Sequence, residues 1–452
     1  MDCLLDEDIY TNDIQYFFSL HGPRFEYMNK AMATSLSKKF GKEFRAIRIL
    51  NAWPSPTYSA LNHIVLNRRG YKLTKELNKP VVFLPDYEDV NVEFTQSPFI
   101  MKVVKKLLVK QETVFVYPFT TAFLDLPSSD FTVLGPNNEL AKNLDNKINQ
   151  VKLFKKLKLP CNNVRIFDSK KDLLEHEYEI IPCYASAAYT SGGSESALIY
   201  SQEMLLEFLG KLRPINKKNS FTASDIFEDI VLAPNVNAVV TSSGDVYTLV
   251  LSDQILQGNR YLGNIYPSEA TEVHRQEIFA ITTKIGEYLA SQGYLGLFGC
   301  DFLINRKGDL VVVDLNPRHQ GGYACNGLAL ATKGISLTDV ELSVLLDEDV
   351  HISQIELNDY LGFAWSHSKI IPPESGQIIN GEHHNKTIEE SFSSIGESFS
   401  TSFYKKGSVF IDGYIGYQVH TAKGRGDLEA KALRVREEFD LEVFNPLGSA
   451  DQ

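Results

Sequence analysis

The sequence lacks long apolar runs, paired cysteines and any excess of positive charge. No apolar stretch approaches the ~20 residues of a membrane-spanning helix, and the acidic first residues lack the basic and apolar regions of a signal peptide. The five cysteines are scattered, odd in number and without metal-site spacing, so we expect reduced, buried thiols. These absences predict a cytoplasmic protein without a membrane partner.

The charge balance excludes a further class of partners. Lys and Arg number 45 against 57 Asp and Glu, which gives a formal net charge of −12 at pH 7. Such an acidic chain argues against nucleic-acid binding. We therefore expect small-molecule substrates whose negative charge is handled locally, by a metal ion and a few placed cations. The oligomeric state is open, with a homodimer as one option.

The length of 452 residues predicts several domains. In residues 1–132, predicted strands at 44–50, 81–84 and 113–117 alternate with helical stretches such as 99–110, which indicates a parallel α/β domain. The loops that follow two of these strands are candidate substrate contacts, because ligands bind beyond the carboxyl ends of such strands. Ordinary loop chemistry is the alternative. Residues 360–452 form a separate small unit, with a helix predicted at 427–439.

Residues 296–326 carry the most distinctive pattern, a predicted hairpin with one acid on each strand. Asp301 opens the first strand, a turn with Gly308 follows, and the second strand ends at Asp314. The turn folds the chain back, so the two acids can be neighbours across the hairpin. Together with Asn316 they offer the hard oxygen ligands that suit Mg²⁺. Arg318 stands where a guanidinium could grip a phosphate or carboxylate.

This order of acid, hairpin, apolar strand, acid, Asn, Pro, Arg and Gly-Gly closely resembles the metal-binding signature of the ATP-grasp superfamily. The resemblance covers roughly residues 134–330. It implies an ATP-grasp fold of class α/β, in parts α+β, in which residues 133–350 form a two-lobed ATP-binding unit with a lid at about 160–230. It also implies ATP and Mg²⁺ (or Mn²⁺) as cofactors, with Asp301, Asp314 and Asn316 as metal ligands.

The same resemblance implies further contacts to ATP. Lys147, which precedes a predicted helix, would contact the phosphates. Glu228 and Val231, on an acid-bearing strand predicted at 226–231, would hold the adenosine. Arg260, in a long polar loop predicted at 252–263, and Arg318 would stabilise the charge of the transferring phosphoryl group as catalytic residues. A Ser/Gly loop would offer N–H groups and hydroxyls to the phosphates, through Ser191, Gly192, Gly193 and Ser194. Solvated surface positions are the alternative for Lys147, Glu228 and Arg260.

One feature of the superfamily is missing. Its members usually carry a second ATP-binding lysine on the strand before the Ser/Gly loop, but here Ser186, or nearby Tyr184, occupies that place. No Lys or Arg occurs at all between Asp172 and Gly210. Either another cation substitutes, or hydroxyls and amides hold the α-phosphate, or nucleotide binding is weak or lost.

The function implied is that of an ATP-dependent carboxylate–amine ligase. A carboxylate would attack the γ-phosphate to give an acyl phosphate and ADP, and an amine of an amino acid or peptide would then displace phosphate. A small C-terminal domain in this place resembles pheganomycin-type peptide ligases and relatives that load amino acids onto carrier proteins. The alternatives are a carrier-protein thiol as acceptor, a carboxylase-like activator of bicarbonate, and a scaffold without turnover.

Overall fold

A computed structural model describes most of the chain. The described residues are 3–21, 26–50, 62–66, 72, 74–76, 78, 81–82, 87–127, 129–190, 193, 195–213, 215–348, 350, 362–370, 376–378, 392, 398–402, 409–410, 416–428 and 444–446. The chain divides into two compact units. Unit 1 comprises Met1–Asn138, Gly321–Val350 and Tyr360–Gln452, and unit 2 comprises Glu139–Gln320 and His351–Asp359. The domain boundaries inferred from the sequence are a different division and stay predictions.

Unit 1 begins with a mostly parallel sheet flanked by helices. Its first elements are β1 (Cys3–Leu4), a 3-10 helix (Glu7–Tyr10), β2 (Gln15–Leu20), α1 (Glu26–Phe40), β3 (Phe44–Leu50), β4 (His63–Val65), β5 (Val81–Val82), α2 (Tyr87–Thr95), α3 (Pro98–Leu107), β6 (Val114–Pro118) and β7 (Phe131–Val133). The strand order is β1-β4-β3-β2-β6-β7, and only β1 runs antiparallel to its neighbour. The parallel α/β arrangement predicted for this part of the chain is confirmed.

Helix α3 illustrates how the sequence builds this layer. Ser97 caps the helix by accepting a hydrogen bond from the backbone of Ile100, and Pro98 occupies the first turn, where no N–H partner is needed. Its buried residues recur at helical spacing and join the core of the sheet: Ile100, Val103, Val104 and Leu107. The helix predicted at 99–110 is therefore confirmed, with its end three residues earlier.

Unit 2 contains two antiparallel sheets. Its elements are α4 (Asn138–Asp145), α5 (Lys147–Lys156), β8 (Val164–Phe167), α6 (Lys170–Glu175), α7 (Glu177–Ile180), β9 (Cys183–Ala187), β10 (Ser196–Ile199), α8 (Gln202–Gly210), β11 (Phe221–Ser224), β12 (Ile230–Leu232), β13 (Pro234–Val240), β14 (Val246–Gln257), β15 (Arg260–Tyr266), α9 (Glu272–Ser291), β16 (Gly296–Asn305) and β17 (Leu310–Asn316). The smaller sheet, β10-β9-β11-β8, lies within the predicted lid.

The larger sheet of unit 2 runs β17-β16-β13-β14-β15, and β12 pairs with the end of β16. One face packs against α9 through a core that includes Val236, Ala238, Ile278, Ile285 and Phe298. The hairpin predicted around residues 301–314 is confirmed as β16 and β17. The opposite face of the sheet carries polar residues and positions the candidate site.

Two expectations about unit 2 were wrong. The long polar loop expected at 252–263 consists of the ends of β14 and β15, joined by a turn at residues 258–259. Polar residues such as Ser252 are typical of a loop, but here Ser252 pairs with Asn235 on the polar face of the sheet. The acid-bearing strand expected at 226–231 is shorter, since β12 begins at Ile230 and Glu228 precedes it.

The remaining elements belong to unit 1: α10 (Tyr323–Ala331), α11 (Leu337–Leu345), β18 (Ala364–Ile370), β19 (Gly376–Ile378), β20 (Ser398–Ser402), β21 (Val409–Phe410), β22 (Gly416–Ala422) and β23 (Phe444–Pro446). Strand β5 pairs with β21 in a sheet of order β23-β19-β21-β5. The expectation that this strand belongs to the parallel sheet was therefore wrong. The helix predicted at 427–439 lies outside the described residues beyond Leu428. Within the described part of the chain, no helix has the length and apolarity to cross a membrane.

Candidate functional site

A row of polar side chains crosses the larger sheet of unit 2. Asn235 on β13 lies opposite both Ser252 on β14 and Asp301 on β16, and Asp301 lies opposite Asp314 on β17. Directly opposed residues of neighbouring strands point to the same face, so these four side chains share one face. A β-bulge follows Asp301 in the β16–β17 pair, an irregularity that is frequent beside functional sites.

The Asp301 carboxylate is oriented by three carboxamides. Its Oδ1 accepts hydrogen bonds from Asn235 Nδ2 (2.5 Å) and Gln320 Nε2 (3.2 Å), and its Oδ2 accepts one from Asn316 Nδ2 (3.2 Å). Asn235 also donates to Gln320 Oε1 at 3.0 Å. Asn235, Asn316 and Gln320 are all buried. A carboxylate held this way has a fixed direction, which suits a metal ligand.

The electrostatics of this row favour a bound cation. Burial and the charge of Asp314 raise the pKa of Asp301 above its ordinary value. Hydrogen bonding by Asn235 and the charge of Lys147 lower this pKa, but by less. A cation between the two carboxylates would relieve their repulsion. In the described part of the chain no cluster of three His, Cys, Asp or Glu residues that could hold a metal ion occurs. The row offers two carboxylates and one amide oxygen, a donor set that fits Mg²⁺ when phosphate oxygens complete the coordination.

Lys147 comes to this row from a distant part of the chain. Asn146 caps α5 by accepting a hydrogen bond from Ile148 N (2.9 Å), which sets Lys147 on the first turn. The Lys147 ammonium forms an ion pair with Asp314, and the two side chains are only 12% and 25% exposed. The predicted phosphate contact and one predicted metal ligand are thus brought together, while their roles toward ATP stay predictions.

Arg318 is oriented by a buried ion pair with Asp145. Its Nε lies 3.6 Å from Asp145 Oδ1, and its Nη1 donates to the carbonyl of His319 at 3.2 Å. The Arg318 and Asp145 side chains are 7% and 2% exposed, so the ion pair is buried. Sequence reasoning assigned no role to Asp145, although it stands two residues before Lys147. Its place in that Asp-x-Lys pattern was the available signal.

Gln320 and Gly299 are two further residues that sequence reasoning missed. A Cβ atom at Gly299 would lie 2.0 Å from Gln320 Oε1, so the Gln320 carboxamide lies directly against the glycine backbone. Only glycine leaves room for this approach. Nothing in the local sequence around Gly299 signals the need, because the contact comes from a residue twenty-one positions later.

The base of the Ser/Gly loop is tightly bonded. Gly193 has φ +85°, and a Cβ there would lie 2.2 Å from the carbonyl oxygen of Asn259. Asn259 Nδ2 donates to the carbonyl of Ser196 at 2.6 Å. Glu195 accepts from Arg213 Nε at 2.5 Å. The loop therefore rests on the β14–β15 turn. Three predicted phosphate contacts lie outside the described residues: Ser191, Gly192 and Ser194.

Strand β9 places Tyr184 and Ser186 on one face of the smaller sheet, since they are two residues apart. Ser186 is buried and its hydroxyl donates to the carbonyl of Ala187 at 3.3 Å. The Tyr184 hydroxyl extends further and donates to Ser196 Oγ at 2.8 Å. Burial raises the pKa of Tyr184, and the charges of Lys147 and Asp314 act on it in opposite directions.

The other predicted contacts lie at partly or fully exposed positions. Glu228 is exposed in the segment before β12, and Val231 on β12 is 53% exposed. Arg260 is the first residue of β15, next to the turn on which Gly193 rests, and is partly exposed. Their roles toward adenosine and the phosphoryl group stay predictions.

Part of this row lies in a segment that matches a known protein family. Residues 204–322 match the family model of the ATP-grasp domain. A segment of 97 residues is 31% identical to L-propargylglycine–L-glutamate ligase of Streptantibioticus cattleyicolor; it is 22% of this chain and spans only 20% of that relative.

Solved structures share the fold along nearly the whole chain. Biotin carboxylase from Campylobacter jejuni, in complex with β,γ-ATP, gives a TM-score of 0.66 at 14% identity, covering 95% of this chain and 91% of that one. The biotin carboxylase domain of 2-oxoglutarate carboxylase from Hydrogenobacter thermophilus, in complex with MgADP and bicarbonate, gives 0.64 at 14% identity, covering 94% and 89%. Residues 204–322 therefore match the ATP-grasp domain, and the chain shares the fold of these solved structures.

Proposed function

We propose that this protein is an ATP-dependent ligase that activates a carboxylate as an acyl phosphate and joins it to an amine. The observation that carries the proposal is the row of Asp301 and Asp314 with Lys147 beside it, built on an ATP-grasp domain. Two opposed carboxylates and an adjacent ammonium are the groups that a metal-bound polyphosphate requires.

The proposed reaction proceeds in two displacements. An oxygen of the substrate carboxylate attacks the γ-phosphorus of ATP, and ADP leaves. The amine nitrogen then attacks the acyl carbon, phosphate leaves, and the nitrogen loses a proton to solvent. The overall products are an amide, ADP and phosphate.

The residues of the chain supply binding and charge stabilisation. Asp301, Asp314 and Asn316 would hold Mg²⁺, which when bound offsets the negative charge of the phosphates. Lys147, Arg260 and Arg318 stabilise charge on the phosphoryl group as it transfers, and the buried Asp145 keeps Arg318 oriented. Loop 190–196 excludes water, which would otherwise hydrolyse the acyl phosphate.

The substrates proposed are an amino acid as the carboxylate and an amino acid or peptide as the amine. Support comes from the relative named L-propargylglycine–L-glutamate ligase, although the match spans a fifth of its length. A carrier-protein thiol as acceptor is the finer alternative within the same activation chemistry.

A screen of ADP and phosphate release over pairs of amino acids, with Mg²⁺ and ATP, tests the function. We expect ADP release that depends on both partners in the wild type and is lost in Asp314→Asn, a near-isosteric change that removes one carboxylate charge. Release of AMP and pyrophosphate would overturn the acyl-phosphate route. Turnover that persists unchanged in Asp314→Asn would overturn the metal assignment.

A further inference from the structure

The stretch of unit 2 that surrounds the Ser/Gly loop lacks the basic residues that commonly bind phosphate. The proposed function places the phosphates of ATP beside the Ser/Gly loop, yet no Lys or Arg occurs between Asp172 and Gly210, the stretch that contains β9 and β10. The strand that leads into the loop is β9, and its residues that share a face are Tyr184 and Ser186. One of these two side chains is the best placed to act in place of a lysine.

The reach and the hydrogen bonds of the two side chains show which of them is better suited to contact a phosphate. Ser186 is 6% exposed, and its short side chain donates to the neighbouring carbonyl of Ala187. A phenol hydroxyl reaches about as far from the Cα atom as a lysine ammonium does, whereas a serine hydroxyl stays next to the backbone. Tyr184 is therefore the residue whose polar atom extends as far as the missing ammonium would.

Hydrogen bonds link the Tyr184 hydroxyl to two described residues of the Ser/Gly segment. It donates to Ser196 Oγ at 2.8 Å, and Ser196 Oγ in turn donates to the carbonyl of Gly193 at 3.2 Å. Asn259, in the turn on which Gly193 rests, is a further hydrogen-bond partner of the phenol. The hydroxyl thus sits at the meeting point of the loop and the β14–β15 turn.

The charges of the candidate site also act on this hydroxyl. Lys147, a predicted phosphate contact, and Asp314, a predicted metal ligand, both influence Tyr184 electrostatically. These two residues form an ion pair with each other. The backbone N–H of Lys147 donates to the carbonyl of Ala188, directly after β9, at 2.8 Å, so β9 lies beside the groups between which the phosphates of a nucleotide would lie.

We propose that the Tyr184 hydroxyl is a phosphate-binding donor that takes the place of the absent lysine in this lid. The inference rests on the proposed ATP-dependent function and names a residue of that same site. On binding, the hydroxyl redirects its proton from Ser196 Oγ to a phosphate oxygen of the nucleotide. A hydroxyl that donates to an anionic oxygen forms a short, charge-assisted hydrogen bond.

Burial suits Tyr184 to this role. Because burial raises its pKa, the phenol remains protonated and so remains a donor at neutral pH. It contributes a hydrogen bond without a positive charge, so Lys147 and the metal ion carry the neutralisation of the phosphates.

Calorimetric titration with Mg²⁺ and AMP-PNP, a non-hydrolysable ATP analogue, tests the proposal, with adenosine as the phosphate-free probe. Tyr184→Phe removes only the hydroxyl, and we expect it to bind Mg·AMP-PNP roughly tenfold more weakly, equivalent to about 1.4 kcal/mol. Adenosine affinity should stay within about twofold, because adenosine has no phosphate to lose. Tyr184→Lys should recover the affinity for Mg·AMP-PNP.

Tyr178→Phe is the matched control, because Tyr178 lies in the same lid and is 87% exposed. It should bind both probes as the wild type does. Wild-type affinity for Mg·AMP-PNP in Tyr184→Phe would overturn the proposal and leave the proposed function standing. An equal loss for adenosine, or no recovery in Tyr184→Lys, would assign Tyr184 a packing role instead. If the wild type binds no Mg·AMP-PNP, the proposed function itself fails, and this role fails with it.

Discussion

Replacing Gly299 with alanine would displace Gln320 without changing any charged group. A Cβ atom at position 299 would lie 2.0 Å from Gln320 Oε1 and 2.1 Å from its Cδ, far inside van der Waals contact. Because these atoms end a flexible side chain, the carboxamide moves and the backbone stays in place. The move breaks the hydrogen bonds from Asn235 to Gln320 (3.0 Å) and from Gln320 to Asp301 (3.2 Å).

The two hydrogen bonds set the size of the effect. A bond to a carboxylate contributes ~1.5–3 kcal/mol and one between amides ~0.5–1.5, so Gly299→Ala should lower the free energy of unfolding by roughly 2–4.5 kcal/mol. Outer donors that orient a metal-binding carboxylate change metal affinity about 10–100-fold. We therefore expect the affinity for Mg²⁺, measured with saturating ADP, to decrease by a factor of about 10–100.

Urea unfolding measures the stability change, and calorimetric titration with Mg²⁺ measures the affinity. Gly210→Ala is the matched control, since a Cβ atom at Gly210 meets nothing within 4 Å. Once the carboxamide is removed in Gln320→Ala, a methyl group at position 299 displaces nothing. The double variant should therefore equal Gln320→Ala alone, a non-additive result. Wild-type Mg²⁺ affinity in Gly299→Ala, with additive effects in the double variant, would refute the orienting role of Gln320.

Three further predictions concern other residues of unit 2. Asp145→Asn leaves the buried Arg318 charge without its carboxylate, so the free energy of unfolding should drop by about 3–5 kcal/mol in urea titrations; a change near zero would contradict the buried pair. Burial and Asp314 raise the pKa of Asp301 to about 6, and a metal ligand must be deprotonated, so Mg²⁺ affinity should fall as pH is lowered through that value. Titrations at a series of pH values measure this, and pH-independent affinity would argue against Asp301 as a ligand. Gly193→Ala, at φ +85° and with a Cβ 2.2 Å from a carbonyl of the β14–β15 turn, should lift the loop. ADP release should then exceed amide formation, because water reaches the acyl phosphate; equal yields would show that the loop does not exclude water.

Local patterns in the sequence predicted the hairpin of the site. Asp301 and Asp314 lie on consecutive strands joined by a short turn, so their register follows from neighbouring residues alone. The same holds for α3, whose cap and apolar spacing are both local. Strand β2 was missed although it is central, because all six of its residues are buried and a strand buried on both faces has no alternation to detect.

The order of motifs along the chain was enough to indicate the ATP-grasp fold and its paired carboxylates. Only the tertiary structure decided what surrounds them: Asn235 donates to Asp301 across 66 residues, and Lys147 pairs with Asp314 across 167. Asp145 likewise anchors Arg318 from a separate helix. Such partners have no local sequence signal. A carboxamide or carboxylate looks like a surface residue in the sequence, and only the tertiary structure shows that it is buried against a partner. The positions of the two acids in the hairpin follow from local geometry, whereas the orientation of their carboxylates and the charges around them depend on long-range packing.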